Sequence, residues 1–556
     1  MLSRGKGSTM LFVGGFQHHG AFPRRAEHFN CLIRIVHKKM ASSQRRELRV
    51  ALLSALVSVG SGLNSPADGG RSRQKLQELG VQNLLQVTPV APGQPGASVW
   101  LGAQWFKQTL DHFKRGENTE TFDQKYFVDD THYDGSGPVI LYINGEAPLY
   151  SAPGGSSFTG YMAQQMKAMI VAVEHRFYGD SHPFSDMSTS SLRYLNSAQA
   201  LLDLRKFRIT YDQQLGPRQD GTPHQWVVVG GSYAGSLAAW SRLRFPHLFA
   251  AAHASSAPIE AIDTFTRFDI QLQQSLPQGC QDMVRQVNQA IDARLGPANE
   301  TGGESAITLK RIFDAEGLTN DDFSYLIADS VAIAVQYGQK GKLCDRLNQA
   351  ALEGAGPDQL VEAFASYSKR VFYPTLETGK PEAYDAGYLQ RPNIAAEKNA
   401  RQWLWQQCSE FGWFQTFPAE QPAETGMRLK RVDRKYFSTL CTRAFGLKPL
   451  EPDVQTVQKN YAGAELNTSR IFFTFGRDDP WQSAWPEGAL KRMEREGGHG
   501  GGKYMRIECD DCAHCVDLGH IGYDEQPALH ATRAAILAAF QCWLDLPGAS
   551  NCKEAS

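Results

Sequence analysis

The sequence predicts an α/β fold, a mostly parallel sheet with helices on both faces, interrupted by a long helical insertion. Three observations carry that expectation. Short, continuous apolar runs (GPVILYING, MIVAVEHRF, QWVVVGGS, LFAAAHASSAP) alternate with amphipathic segments up to Pro258. Strands buried on both faces read as unbroken apolar runs, and alternation with helices is the mark of parallel crossovers. About two hundred mostly helical residues follow, and strand-then-loop patterns then return at SRIFFTFGRDDPW and KYMRIECDDCAHC. The third observation is VVVGGSYAGSLAAW (Val227–Trp240), where a β-branched run passes through two glycines and Ser232 directly into a small-residue helix pattern.

Taken in order, residues 1–62 read as a leader. A signal peptide opening at Met40 has a basic stretch (Arg45, Arg46, Arg49), an apolar stretch Val50–Val59 and small residues Gly60–Gly62. A basic organellar transit segment is the alternative. Residues 63–99 are rich in Gly, Pro, Ser and Gln and read as a linker or pro-segment. Residues 100–258 and 465–550 form the expected core, and 259–464 the helical cap insertion. Within the core, YMAQQMKAM, LRYLNSAQALLDLRKFRI, SYAGSLAAWSRLRF and PALHATRAAILAAFQCWLDL read as helices. The insertion ends in an aromatic cluster at Trp403, Trp405, Phe411, Trp413, Phe414 and Phe417.

Composition narrows the function classes. A formal net charge of −1 leaves no electrostatic footprint for nucleic acid. No later stretch reaches the 18 or so apolar residues of a membrane span, so no integral membrane segment is expected in the mature chain. Ten cysteines suit a large secreted protein with a few bridges. Sequons at Asn299 and Asn467 agree with passage through the secretory pathway, to a lysosome or vacuole or outside the cell.

Ser232 is the candidate nucleophile. A strand that turns sharply into a helix leaves room only for small neighbours, and Gly230, Gly231, Ala234 and Gly235 supply it. The turn sets the hydroxyl at a helix N-terminus, where free N–H groups favour developing negative charge. The Tyr233 N–H is the first oxyanion donor expected, and Gly145 of the NGEA loop the second. An ordinary turn serine is the competing reading. In this arrangement the acid and the base follow the serine in chain order. RIFFTFG leads to Asp478 and Asp479, of which Asp479, beside rigid Pro480, is preferred, and KYMRIEC leads to His514. His175 precedes the serine and reads as structural with Arg176 and Tyr178; His520 and His499 are weaker candidates for the base.

GGSYAGSLAAWSRLRFPHL, EHRFYGDS, DDPW and AHCVDL resemble the serine peptidase family of lysosomal Pro-X carboxypeptidase, dipeptidyl peptidase II and thymus-specific serine protease. The resemblance runs from about Trp105 to Trp543 and is strongest to the thymus-specific branch. It implies an α/β-hydrolase core with a helical cap, a triad at Ser232, Asp479 and His514, peptide substrates, and cleavage beside proline at one end of a peptide. It also implies a Cys408–Cys441 bridge. Elimination adds Cys280–Cys344 and Cys542–Cys552. At the base, H-C-V-D-L-G with Gly519 departs from the H-H-L-D-L-R of the other branches, and Ala147 replaces the glycine after Glu.

No cofactor is required. Cys509, Cys512 and Cys515 form one C-x-x-C-x-x-C run without the second half of a zinc pair, and read as disulfide or thiol rather than metal ligands. GGHGGGKY (Gly497–Tyr504) leads into a strand, whereas a phosphate-binding loop leads into a helix, so no nucleotide is expected. An esterase or lipase on the same fold and a catalytically silent peptide-binding relative are the alternative functions. A homodimer is left open.

Overall fold

Eight strands form one sheet in the order β1-β2-β4-β3-β5-β6-β7-β8. They are β1 (Gln104–Thr109), β2 (Thr121–Asp129), β3 (Val139–Ile143), β4 (Met169–Val173), β5 (Trp226–Gly231), β6 (Ala251–Ser255), β7 (Ile471–Gly476) and β8 (Lys503–Ile507). The computed structural model describes residues 102–546 apart from 115–119, 219, 297–300, 396–397, 421–425, 448–449, 462–468, 487, 491–492, 494–501 and 523–525. The leader, the linker, Asn299, Asn467, His499 and Cys552 lie outside the described residues.

From β4 through β8 every neighbouring pair is parallel. The apolar runs read as strands are these, and β4, β6 and β7 are buried along their whole length. Two strands were not expected from the sequence. β1 pairs antiparallel with β2, and β2 antiparallel with β4, so one edge of the sheet is mixed. β1 (QWFKQT) alternates exposed and half-buried positions over most of its length, as an edge strand facing water on one side does.

Successive strand residues point to opposite faces, and each face has its own helices. On one, Ile140, Ile170 and Val227 pack with Phe158, Met162 and Met166 of α1 (Phe158–Met166) and with Ile536 and Phe540 of the C-terminal helix Pro527–Trp543. On the other, Val139, Leu141, Val171 and Val228 pack with Leu204 and Phe207 of α2 (Ser197–Leu215) and Leu237 and Trp240 of α3 (Tyr233–Arg244). α2 starts later than LRYLNSAQALLDLRKFRI reads, because the Asn196 side chain caps it by accepting the Gln199 N–H. The residues before it form a separate short helix, Thr189–Leu192.

Between β6 and β7 the secondary structure of the described chain is helical, from Thr266 to Tyr461. Phe268, Leu326, Phe411 and Trp413 of this segment share one buried cluster with α2 and α3. Its helix α4 (Asn320–Gln336) ends over the loops that follow β7 and β8.

Arg176 fastens the antiparallel edge. Its buried guanidinium grips both carboxylate oxygens of Asp203 on α2, at 2.6 Å each, and donates to the carbonyls of Thr109, Leu110 and Tyr194. Arg176→Met leaves a buried carboxylate without its cation and three carbonyls without donors. Losing one partner of such a pair costs about 3–5 kcal/mol. The expected result is a lowered urea midpoint with an unchanged m value.

Candidate active site

The strand order reverses at β3. β4 lies on one side of it and β5 on the other, and the crevice beyond the carboxyl ends at such a switch point is where open α/β sheets hold their ligands. Ser232 follows β5 there, with φ 59° and ψ −134°, a conformation that non-glycine residues adopt only under strain. The turn is held from both sides. The Ser232 N–H donates to the Ser255 carbonyl at 2.9 Å, and the Ser232 carbonyl accepts from the Ser236 N–H at 3.1 Å. The small residues read from the sequence are needed here. A Cβ on Gly230 would fall 2.2 Å from the Ala234 carbonyl oxygen, and one on Gly235 2.7 Å from that of Ser255.

Tyr233 is the first residue of α3, so its N–H has no acceptor within its own helix. Gly145, two residues beyond β3, lies against the same turn; a Cβ there would be 3.7 Å from the Ala234 Cβ. The Tyr233 ring is buried among Phe411 and Trp403, and its hydroxyl meets His175 Nε2 at 3.1 Å. His175 Nδ1 bonds the Arg176 carbonyl. Burial pushes the His175 imidazole down to about 4, so it stays neutral and props the Tyr233 ring. His520 is exposed and bridges to Ser157.

The loops after β7 and β8 interlock. The Arg477 N–H donates to the Ile507 carbonyl and the Asp478 N–H to that of Cys512. This contact brings His514 Nδ1 to 3.0 Å from both carboxylate oxygens of Asp479. The side chains are 3 % and 0 % exposed. The two adjacent aspartates divide by their surroundings. Asp479 takes the imidazole and the Trp481 N–H, whereas Asp478 is matched by Lys340 at 2.6 Å and Arg477 at 3.5 Å. Burial opposes the charged imidazole of His514, but the Asp479 carboxylate outweighs it with help from adjacent Cys515, and the group is held well above its usual 6.5.

His514 Nε2 is buried and has no hydrogen-bond partner, so the serine–histidine contact is not closed in this structure. Catalytic contacts of this kind are often open without substrate and tighten in the complex.

Several groups around the site carry no sequence motif. The Gln336 carbonyl, at the end of α4, accepts the His514 N–H at 2.9 Å, and its side-chain oxygen accepts from Trp481 Nε1 at 3.0 Å. Tyr337 sets its ring edge-on to the imidazole, 6.2 Å away. Glu146, beside Gly145, is raised by burial to about 7, with His514 pulling the other way. Beneath the base loop, Asp517 accepts from Ser255 Oγ (2.6 Å) and Thr474 Oγ1 (2.7 Å) and pairs with His253 Nε2 (2.8 Å). Asp517 stands inside AHCVDL, and only the fold shows that it faces two strand ends.

Among the described residues, the cysteines resolve into bridges and one thiol. Cys280–Cys344 and Cys408–Cys441 are bonded as expected, and Cys542 is bonded too. Cys509 and Cys512 are bonded to each other, and Cys515 is free. No described helix is long and apolar enough to cross a membrane.

A mostly parallel sheet with helices on both faces, carrying a sharp serine turn after β5, a carboxylate after β7 and a histidine after β8, makes an α/β-hydrolase core. The chain is similar to the probable serine protease EDA2 of Arabidopsis thaliana, 32% identical over 74% of this chain and 80% of that one. It is similar to the human thymus-specific serine protease, 29% identical over 87% of this chain and 94% of that one. A probable extracellular serine carboxypeptidase of Arthroderma benhamiae is 27% identical over 67% of this chain and 58% of that one. The profile of the family described as Serine carboxypeptidase S28 matches residues 108–536. The chain belongs to that family and is a serine peptidase.

Proposed function

We propose that the protein is an exopeptidase that hydrolyses peptide bonds next to proline through Ser232, His514 and Asp479. The observation that carries this reading is the grip of both Asp479 oxygens on His514 Nδ1, at the same sheet rim as the strained turn of Ser232. That grip leaves Nε2 as the proton acceptor. His514 takes the Ser232 proton, the alkoxide attacks the scissile carbonyl, and the oxyanion is received by the N–H of Tyr233 and one in the Gly145 loop. Asp479 orients the imidazole and stabilises its charged form. The protonated imidazole then gives its proton to the leaving amine, and water releases the acyl-enzyme.

Trp481 and Tyr337 flank the imidazole ring, and this apolar wall suits a pyrrolidine. The helical segment over the rim favours chain ends over internal bonds. Glu146 points to the amino end. It stands beside Gly145 in the loop after β3 and, among the described residues, forms no ion pair with a lysine or arginine; a substrate ammonium would complete it and draw its raised ionisation back down. The disulfides support a secretory route, with a lysosome or the extracellular space as destination.

The test is mass spectrometry of products from a mixed peptide library. The expected result is release of terminal fragments at proline, with amino-terminal dipeptides leading. Hydrolysis of p-nitrophenyl esters without any amide cleavage would support an esterase instead. Glu146→Gln is expected to raise KM for free-amine Xaa-Pro amides about tenfold or more, the value of a charged hydrogen bond, while ester substrates lacking the amine are unaffected.

A further inference from the structure

The free thiol of Cys515 stands at the edge of the nucleophile turn. Its backbone is fixed: φ is 55°, and its N–H donates to Ser256 Oγ at 2.8 Å. The sulfur lies 3.9 Å from the Ser255 carbonyl oxygen, the same oxygen that accepts the Ser232 N–H. A Cβ on Gly231, the residue before Ser232, would meet it at 2.8 Å. The β5 end and the Ser255 carbonyl therefore wall it on two sides, and Leu518 Cδ1, 2.9 Å from the same Cβ position, packs beside it.

A second observation concerns its neighbour. The His514 side chain is 3 % exposed, its Nδ1 is committed to Asp479, and its Nε2 has no partner. Cys515 is among the groups that hold the charge of this imidazole. The sulfur thus stands beside both the Ser232 turn and the imidazole that takes the Ser232 proton. Cys509 and Cys512, the nearest cysteines in the chain, are bonded to each other, and Cys515 remains half-buried and unpaired.

We propose that Cys515 is a reversible thiol-modification site for small disulfides, and that its occupation closes the catalytic centre. The Cys515 sulfur attacks one sulfur of the small disulfide. A new S–S bond forms to Cys515, the old one breaks, the other half leaves as a thiolate, and the cysteine proton passes to solvent or to that thiolate. Electrons balance, since one disulfide replaces another. The sulfur adjoins the residue before Ser232 and follows His514 in the chain, so a group attached to it stands beside both. A monothiol reverses the exchange.

This inference rests on Ser232 and His514 acting as nucleophile and base, and the experiment separates the two. Untreated full-length protein is first labelled with a fluorophosphonate; if Ser232 takes no label, the proposed function fails. Protein that does label is then treated with oxidised glutathione, and the mass of the Cys515 peptide, amide turnover and fluorophosphonate labelling are followed together. The expected result is a glutathione adduct on Cys515, with turnover and labelling falling in proportion to the modified fraction and returning with reduced glutathione. Cys515→Ser and Cys515→Ala, each compared with its own untreated activity, are expected to keep turnover through the treatment. Complete modification with turnover unchanged would overturn the inference. So would equal inactivation of both variants, or no adduct on Cys515 where the urea-unfolded chain is modified.

Discussion

Ser232→Ala is expected to reduce peptide hydrolysis by about six orders of magnitude, close to what the oxyanion site alone sustains. The fold should survive. The Ser232 side chain does not cap α3, so the substitution removes one oxygen and no structural bond, and alanine meets the same positive φ. The backbone bonds to Ser255 and Ser236 that hold the turn remain. Turnover of an Xaa-Pro amide, thermal unfolding and the mass shift with a fluorophosphonate check the three parts: activity and label are lost, while Tm stays within a few degrees of wild type.

Asp479→Asn is expected to lower kcat by about 10⁴ with little change in KM. An amide presents an N–H where the imidazole needs an acceptor, so the ring turns or takes the wrong tautomer. The pH profile adds a sign. In the wild type the neutral imidazole is the base and its ionisation is held well above 6.5, so kcat/KM rises with pH through an ionisation above that value. Removing the carboxylate that holds the charge moves this limb down. The same pairing stabilises the fold fully below the unfolded histidine value of about 6.5, and the gain is lost as pH rises through the folded value. A limb unchanged in Asp479→Asn would remove Asp479 from the relay.

Legibility in the sequence followed burial. β3 to β7 are buried strands, and their apolar runs are visible without a structure. The Ser232 turn is equally plain, because Gly230 and Gly235 are forced by carbonyl oxygens 2.2 and 2.7 Å from where a Cβ would stand. β1 and β2 were missed because their short apolar stretches are broken up by polar and charged residues, as in QWFKQT and TFDQKYFVD, and β2 is tied into the sheet by pairing with β4, which lies beyond β3 in the chain. Proline at 480 favoured Asp479 over Asp478, but the physical separation of the two is Lys340, 138 residues away. Gln336, Tyr337, Glu146 and Asp517 acquire their places only when the helical segment and the strand ends meet. A one-dimensional pattern holds no trace of that meeting.

The central physical claim is that one hydroxyl, on a strained turn, is deprotonated by an imidazole whose other nitrogen a carboxylate already holds. A crystal structure of the fluorophosphonate-treated protein tests it directly. The account predicts phosphorus bonded to Ser232 Oγ, with His514 Nε2 within hydrogen-bond reach of that oxygen and Nδ1 still on Asp479. Phosphorus on another residue, or an imidazole that stays out of reach of the modified serine, would contradict it.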